Sequence, residues 1–159
     1  MLSVNNRQKG VSLIESMIAL VVISVGLLGI AALQVTSMKQ SNSALHHSQA
    51  VWIGFNIAER IRSNFGQFVN YGGIDTNTGY SQDCIWAECS PTEMITSDAA
   101  DWADEVKSLP SGRGDIVSLF GDNQLRIRVM WDDGDPGAGC GDSPPPDAKL
   151  TCYTVILEL

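Results

Sequence analysis

From Val11 to Leu33 the chain reads VSLIESMIALVVISVGLLGIAAL, apolar around nearly the whole helical circumference, with Glu15 its only charge. As a helix this segment spans about 35 Å, enough to cross a bilayer with some tilt. Residues 34–63 contain no proline and change the pattern instead of ending it. Apolar residues recur at Leu45, Val51, Phe55 and Ala58 and at Ile53, Ile57 and Ile61, mostly three or four apart, while Lys39, Gln40, Glu59, Arg60 and Arg62 take other faces. The pattern predicts one helix of about 50 residues. Its first part, 11–33, suits a membrane, and its second part, 34–63, backs a soluble head at 64–159.

Residues 64–90 carry Gly66, Gly72, Gly73 and Gly79 among many Asn, Thr, Ser and Asp, which predicts a loop-rich connection. Ser90-Pro91-Thr92-Glu93 has capping-box spacing with proline at the first helical position. A short helix follows, with Trp102, Val106 and Leu109 on one face and Pro110-Ser111-Gly112 as its stop. Ile116–Phe120, a turn at Gly121-Asp122-Asn123, and Leu125–Trp131 predict a hairpin whose second strand sends Leu125, Ile127, Val129 and Trp131 to one side. Residues 153–159 alternate likewise. Three antiparallel strands against the distal helix give an α+β fold.

At 159 residues the chain is one domain's worth, and the apolar run leaves enough for one small core. The formal charge is −8, yet Arg7 and Lys9 precede the run with no acid beside them, so the remainder is more negative still. Such a surface repels phosphate backbones and argues against nucleic acid as a partner. Cys84, Cys89, Cys140 and Cys152 are an even set beyond the apolar run. Their spacing lacks the tight knuckles of a zinc site, so disulfides in an oxidising compartment are expected. The positive-inside rule agrees: Arg7 and Lys9 hold the N-terminus in the cytoplasm and the head is exported.

A secretory signal reading would use Met17–Leu28 as the hydrophobic core and cut near Gly29-Ile30-Ala31. Against it, Glu15 interrupts the junction of basic and apolar regions for no purpose. A carboxylate deep in a membrane helix costs about 3 kcal/mol on insertion scales. Were the chain cut after Gly10, Val11 would gain an α-ammonium one helical turn from Glu15, on the same face. Scission would turn the liability into an ion pair, within one chain or with a neighbour.

The basic leader ending in Lys9-Gly10, then Val-Ser-Leu-Ile-Glu, then about 20 apolar residues, resembles the class III signal of type IV pilins and pseudopilins. That resemblance implies a pilin-like α+β fold, cleavage by a prepilin peptidase between Gly10 and Val11, and N-terminal methylation. It also implies a role for Glu15 in contacting an adjacent subunit's terminus during assembly. The stretch GVSLIESMIALVVISVGLLGIAALQ resembles the minor pilins called type IV pilus modification proteins, PilV, more than it resembles a major pilin. Two departures stand out: Val11 where major pilins commonly carry phenylalanine, and no proline between 11 and 63, so no helix kink is implied. Farther on, a cysteine pair with four residues between, Ser-Pro-Thr-Glu-Met, a tryptophan-bearing helix and LPSGRGD resemble the same family's head. The pairings Cys84–Cys89 and Cys140–Cys152 are implied on that basis; the residues themselves leave the other two pairings open.

Other chemistry is sparse. His46 and His47 are adjacent, about 100° apart on a helix, and do not form an i, i+4 metal pair. Asp132, Asp133, Asp135 and Asp142 crowd a Gly/Pro loop without calcium-loop spacing, which reads as a solvated acidic turn. Arg113-Gly114-Asp115 spells an adhesion tripeptide but reads as a turn leading into a strand. No nucleophile elbow or phosphate loop is present. The expectation is therefore a minor pilin, not an enzyme and without cofactor or metal, that initiates or modifies a type IV pilus. It is held in the inner membrane with a periplasmic head and then placed in the filament, near its tip. Its implied partners are other minor pilins and the major pilin through the N-terminal helix, the prepilin peptidase and the inner-membrane assembly platform. The alternatives are a type II secretion pseudopilin, or a signal-peptide-released or membrane-anchored binding protein.

Overall fold

A computed structural model describes residues 12–81, 84, 86, 88–119, 123–134, 140 and 150–158. Helix α1 (Leu13–Ser63) is followed by a 3-10 helix (Phe65–Tyr71), helix α2 (Pro91–Val106) and strands β1 (Arg113–Leu119), β2 (Gln124–Trp131) and β3 (Thr151–Glu158). The strands form one antiparallel sheet in the order β1-β2-β3, an α+β arrangement as the pattern predicts. The chain divides into two compact units, one ending at Asn42 and the other beginning at Ser43.

The second unit, the head, is built where the distal part of α1 presents Ala50, Ile53, Gly54, Ile57, Ala58 and Ile61 as a buried stripe. Those positions follow the 3.6-residue period and meet Trp102 and Val106 of α2 and the inward row of the sheet. Leu45 and Phe55, expected on this stripe, are 54 % and 49 % exposed. At 3.6 residues per turn they fall roughly 120° and 160° round the helix from Ile57, so apolarity alone misassigns them. Gly54 matters to the packing: a Cβ there would stand 3.1 Å from the Tyr153 ring, so glycine lets β3 lie close on the helix.

The loop expected at 64–90 contains a seven-residue helix the composition hides. In the 3-10 helix, side chains three apart eclipse, and Phe68 and Tyr71 are both buried by it. Helix α2 begins as expected: the Ser90 hydroxyl accepts from the Glu93 amide, and the Glu93 carboxylate accepts from the Ser90 amide at 2.8 Å. Leu109 is buried as expected, but in the turn after α2, where its amide donates to the Val106 carbonyl.

Strand β1 starts at Arg113, three residues before the expected Ile116. The cause is non-local. Gly73 donates to the Ile116 carbonyl at 2.7 Å, Ile116 to Ile74 at 2.8 Å and Thr76 to Gly114 at 2.9 Å, so the chain's own segment 73–76 seals the outer edge of β1. Gly114 lies under α2, where an added Cβ would come within 2.6 Å of the Trp102 ring. In β2 the row Leu125, Ile127, Val129 and Trp131 is fully buried, as its alternation predicts. Arg128 and Met130 on the opposite face are buried too, which alternation does not predict. Met130 is covered by Cys140, Leu150 and Cys152, and Arg128 pairs with Asp115 directly across the ladder. The expected turn residues Gly121 and Asp122, with Phe120 and Leu159, lie outside the described residues.

Candidate functional site

The first unit is the apolar part of α1, and its physics is set by what surrounds each side chain. Every large hydrophobic residue from Leu13 to Met38 is between 55 % and 78 % exposed. A helix apolar all round is stable only when lipid or other helices enclose it. It is also long and apolar enough to cross a membrane. Two of its hydroxyls are satisfied within the helix: Ser24 donates to the Leu20 carbonyl at 2.7 Å and Thr36 to the Ala32 carbonyl at 3.1 Å. Between Leu13 and Met38 Glu15 is the one charge.

Glu15 stands in the first turn of α1, exposed. Its amide donates to the Ser12 carbonyl at 3.0 Å, and the Ser16 amide reaches the same oxygen at 3.2 Å, so the helix starts from Ser12. An anion in this turn interacts favourably with the helix dipole by a few tenths to about 1 kcal/mol. Gly10 and Val11, the expected scission pair, lie outside the described residues.

In the head, Cys84 pairs with Cys89 and Cys140 with Cys152, each with Cα atoms 5.6 Å apart. The first closes a loop that holds Trp86 88 % exposed; the second ties the segment after β2 to the start of β3. Arg113-Gly114-Asp115 opens β1, and its Asp115 accepts from Arg128 Nε at 2.8 Å, so the tripeptide is part of the sheet. His47 packs edge-on against Trp131 and Tyr153. Asp133 accepts from the Ser43 hydroxyl at 2.6 Å, and Asp132 from the Gly134 amide at 2.9 Å; Asp135 and Asp142 lie outside the described residues. Among the described residues no three His, Cys, Asp or Glu converge as metal ligands.

One constellation escaped sequence reasoning. Arg60, on α1, reaches three acids on one face of α2: Asp101 at 2.8 Å, Asp98 at 3.2 Å and Glu105 at 3.4 Å, with its Nε on Asn56 at 2.8 Å. Tyr71 donates to Asp98 at 2.5 Å, adding the 3-10 helix to the clamp. Burial pulls the Arg60 pKa down, but its hydrogen bonds to Asp101 and Asp98 outweigh it and the net direction is up. Burial, with the Asp98 bond, raises the Tyr71 hydroxyl well above its ordinary value. Burial raises Glu105 as well, partly offset by Arg60. The signal was present: Asp98, Asp101 and Glu105 are three and four apart beside the apolar face of α2, an acidic row that needs a cation.

A family model for the prokaryotic N-terminal methylation motif matches residues 5–31, and one for type IV pilin Tt1218-like proteins matches residues 32–100. The two run on without a gap, across α1 and into the head as far as α2. The chain belongs to the type IV pilin superfamily. No curated protein and no solved structure matches it. Pilins are structural subunits and not enzymes, which fits the clamp, the two disulfides and the sealed sheet edge as devices of rigidity. Membrane anchoring and association with a pilus follow for this pilin from the methylation motif and the apolar helix together.

Proposed function

We propose that this pilin is a minor pilin of the PilV type, a structural subunit without catalytic activity that initiates or modifies a type IV pilus. In this reading residues 1–10 are a leader, 11–33 the membrane and filament-core part of α1, 34–63 its amphipathic part and 64–159 the periplasmic head. The prepilin peptidase cuts after Gly10, and the new amine of Val11, methylated, becomes the cation that answers Glu15. The inner membrane holds the subunit with its N-terminus cytoplasmic until the assembly platform passes it into a filament with other minor pilins and the major pilin, near the tip. The oxidising periplasm maintains Cys84–Cys89 and Cys140–Cys152.

The observation that carries the reading is the helical segment Leu13–Met38, apolar on all faces, whose only charge, Glu15, stands at its start inside the matched methylation motif. A carboxylate there is tolerable at a membrane surface and becomes favourable beside an ammonium in a low-dielectric bundle. N-terminal sequencing of the exported protein tests it: Val11 is expected, and a start near Ala32 would mean a signal peptide instead. Glu15→Ala should leave the protein in the membrane fraction while lowering its recovery in sheared pili by about tenfold. Normal recovery would remove Glu15 from the mechanism, and recovery only in a secretion pseudopilus would favour the pseudopilin alternative.

A further inference from the structure

The two edges of the sheet are treated differently. The outer edge of β1 is sealed by segment 73–76, and Ile116 directs both its amide and its carbonyl to that segment. In an antiparallel ladder a residue whose backbone groups face one neighbour faces away from the other, so the direction alternates along each strand. Counted from Ile116 across the two registers, Thr151, Tyr153, Val155 and Leu157 bond to β2, while Cys152, Thr154, Ile156 and Glu158 turn their amides and carbonyls outward. The Cys140–Cys152 disulfide lies at the start of the strand, which leaves residues 154–158 as the open stretch. Among the described residues no backbone bond joins its outward groups to another segment. The register runs without a bulge, and β3 carries no proline, no lysine and one charge, Glu158 at its end, so none of the usual devices blunts this edge.

The apolar layer is unfinished on the same side. Of the β3 row that faces α1, Leu157 is buried, but Tyr153 and Val155 remain partly exposed at the margin of the core. Phe55 of α1, 49 % exposed, lies beside Tyr153 with ring centroids 6.4 Å apart. A further strand, about 4.8 Å out from β3, would lay its inward side chains over these three. An extended backbone is what offers donors and acceptors at the matching repeat, as segment 73–76 does at the other edge. The chain's own connection from β2 to β3 is poor in such groups, because Pro136 and Pro144, Pro145 and Pro146 lack the amide a ladder needs. We infer that β3 accepts one extended segment of a different pilus subunit, about five residues long, uncharged, with apolar side chains toward Tyr153, Val155 and Phe55. The inference rests on the minor-pilin reading, in which this chain is not the repeating unit, and it names the surface that takes the neighbour. With β1 already sealed, the sheet gains one strand and the addition stops there.

The test uses the full-length protein in cells that assemble pili, with a benzophenone amino acid in place of Phe55, the exposed ring beside the edge. Illumination should give an adduct to one other subunit, mapped by mass spectrometry to a single uncharged, β-branched stretch. Thr154→Pro removes an outward amide and no bond to β2, and should lower adduct yield about tenfold; Thr154→Ala, which keeps the amide, should leave it within about twofold. Hydrogen exchange on the purified wild-type protein checks the edge without a substitution: the Thr154 and Ile156 amides should exchange about a hundredfold faster than those of Tyr153 and Val155. Equal protection of the two sets, no adduct, a homodimer adduct, or an adduct indifferent to Thr154→Pro would overturn the contact. The N-terminus of the same material separates the two readings. Val11 without the adduct sinks only this contact, whereas a start near Ala32 with an adduct that depends on the Thr154 amide sinks the pilus reading and leaves the open edge.

Discussion

Ile23 and Ile57 are the same residue on the same helix, and they live under opposite rules. Ile23 is 58 % exposed among other exposed apolar residues, while Ile57 is fully enclosed by the head. What differs is the solvent each expects. The proximal part keeps its hydrophobic surface for lipid or for other helices, and satisfies Ser24 and Thr36 on its own backbone. The distal part hides apolar surface inside its own chain and pairs its enclosed charges, Arg128 with Asp115 and Asp98 with Arg60.

The largest break in that contrast should come from Asp115→Ala. It leaves Arg128, 8 % exposed, enclosed without its carboxylate, and about 3 to 5 kcal/mol of head stability should be lost in thermal or urea unfolding. Next, Ile57→Ala should cost about 2 to 4 kcal/mol by cavity formation, whereas the chemically identical Ile23→Ala should leave head unfolding within about 0.5 kcal/mol. Equal effects would mean that the two parts of α1 share one cooperative unit. Ser111, at φ 50° in the turn after α2, occupies a conformation that favours glycine, so Ser111→Gly should stabilise the head by about 1 kcal/mol. The smallest effect belongs to Glu93, whose pKa is lowered by bonds from the Ser90 backbone and then its hydroxyl. A depressed carboxylate stabilises above its unfolded pKa and loses that contribution as pH falls through its folded pKa. The midpoint difference between wild type and Glu93→Ala should therefore be present at neutral pH and shrink in acid below the ordinary carboxylate range.

Much of this was legible because local signals agreed with the fold. The proline-free pattern to residue 63, the Ser90–Glu93 box and the alternation Leu125–Trp131 each name an element whose cause is local. The misses share a different cause. Segment 73–76 becomes a sheet border only by meeting β1, and Phe68 and Tyr71 form a 3-10 turn only because a core waits for them. Leu45, Trp52 and Phe55 are apolar like their buried neighbours, and no single-chain pattern says which face the head covers. The acidic row on α2 was readable, but its partner Arg60 lies 38 residues from the first of those acids. In the proximal part, Glu15 was singled out by charge alone, because nothing else in that segment competes for attention.

Ser24 and Thr36 bond to carbonyls one turn back in their own helix. Neither of these two hydroxyls depends on what the surroundings provide, so exchanging fatty acyl chains for packed neighbours breaks neither bond. To a first approximation such a rod is indifferent between the two media. On the proposed assembly reading, direction must then come from a motor or from the Glu15 carboxylate and not from the apolar surface, and the transfer is in principle as easy to undo as to make.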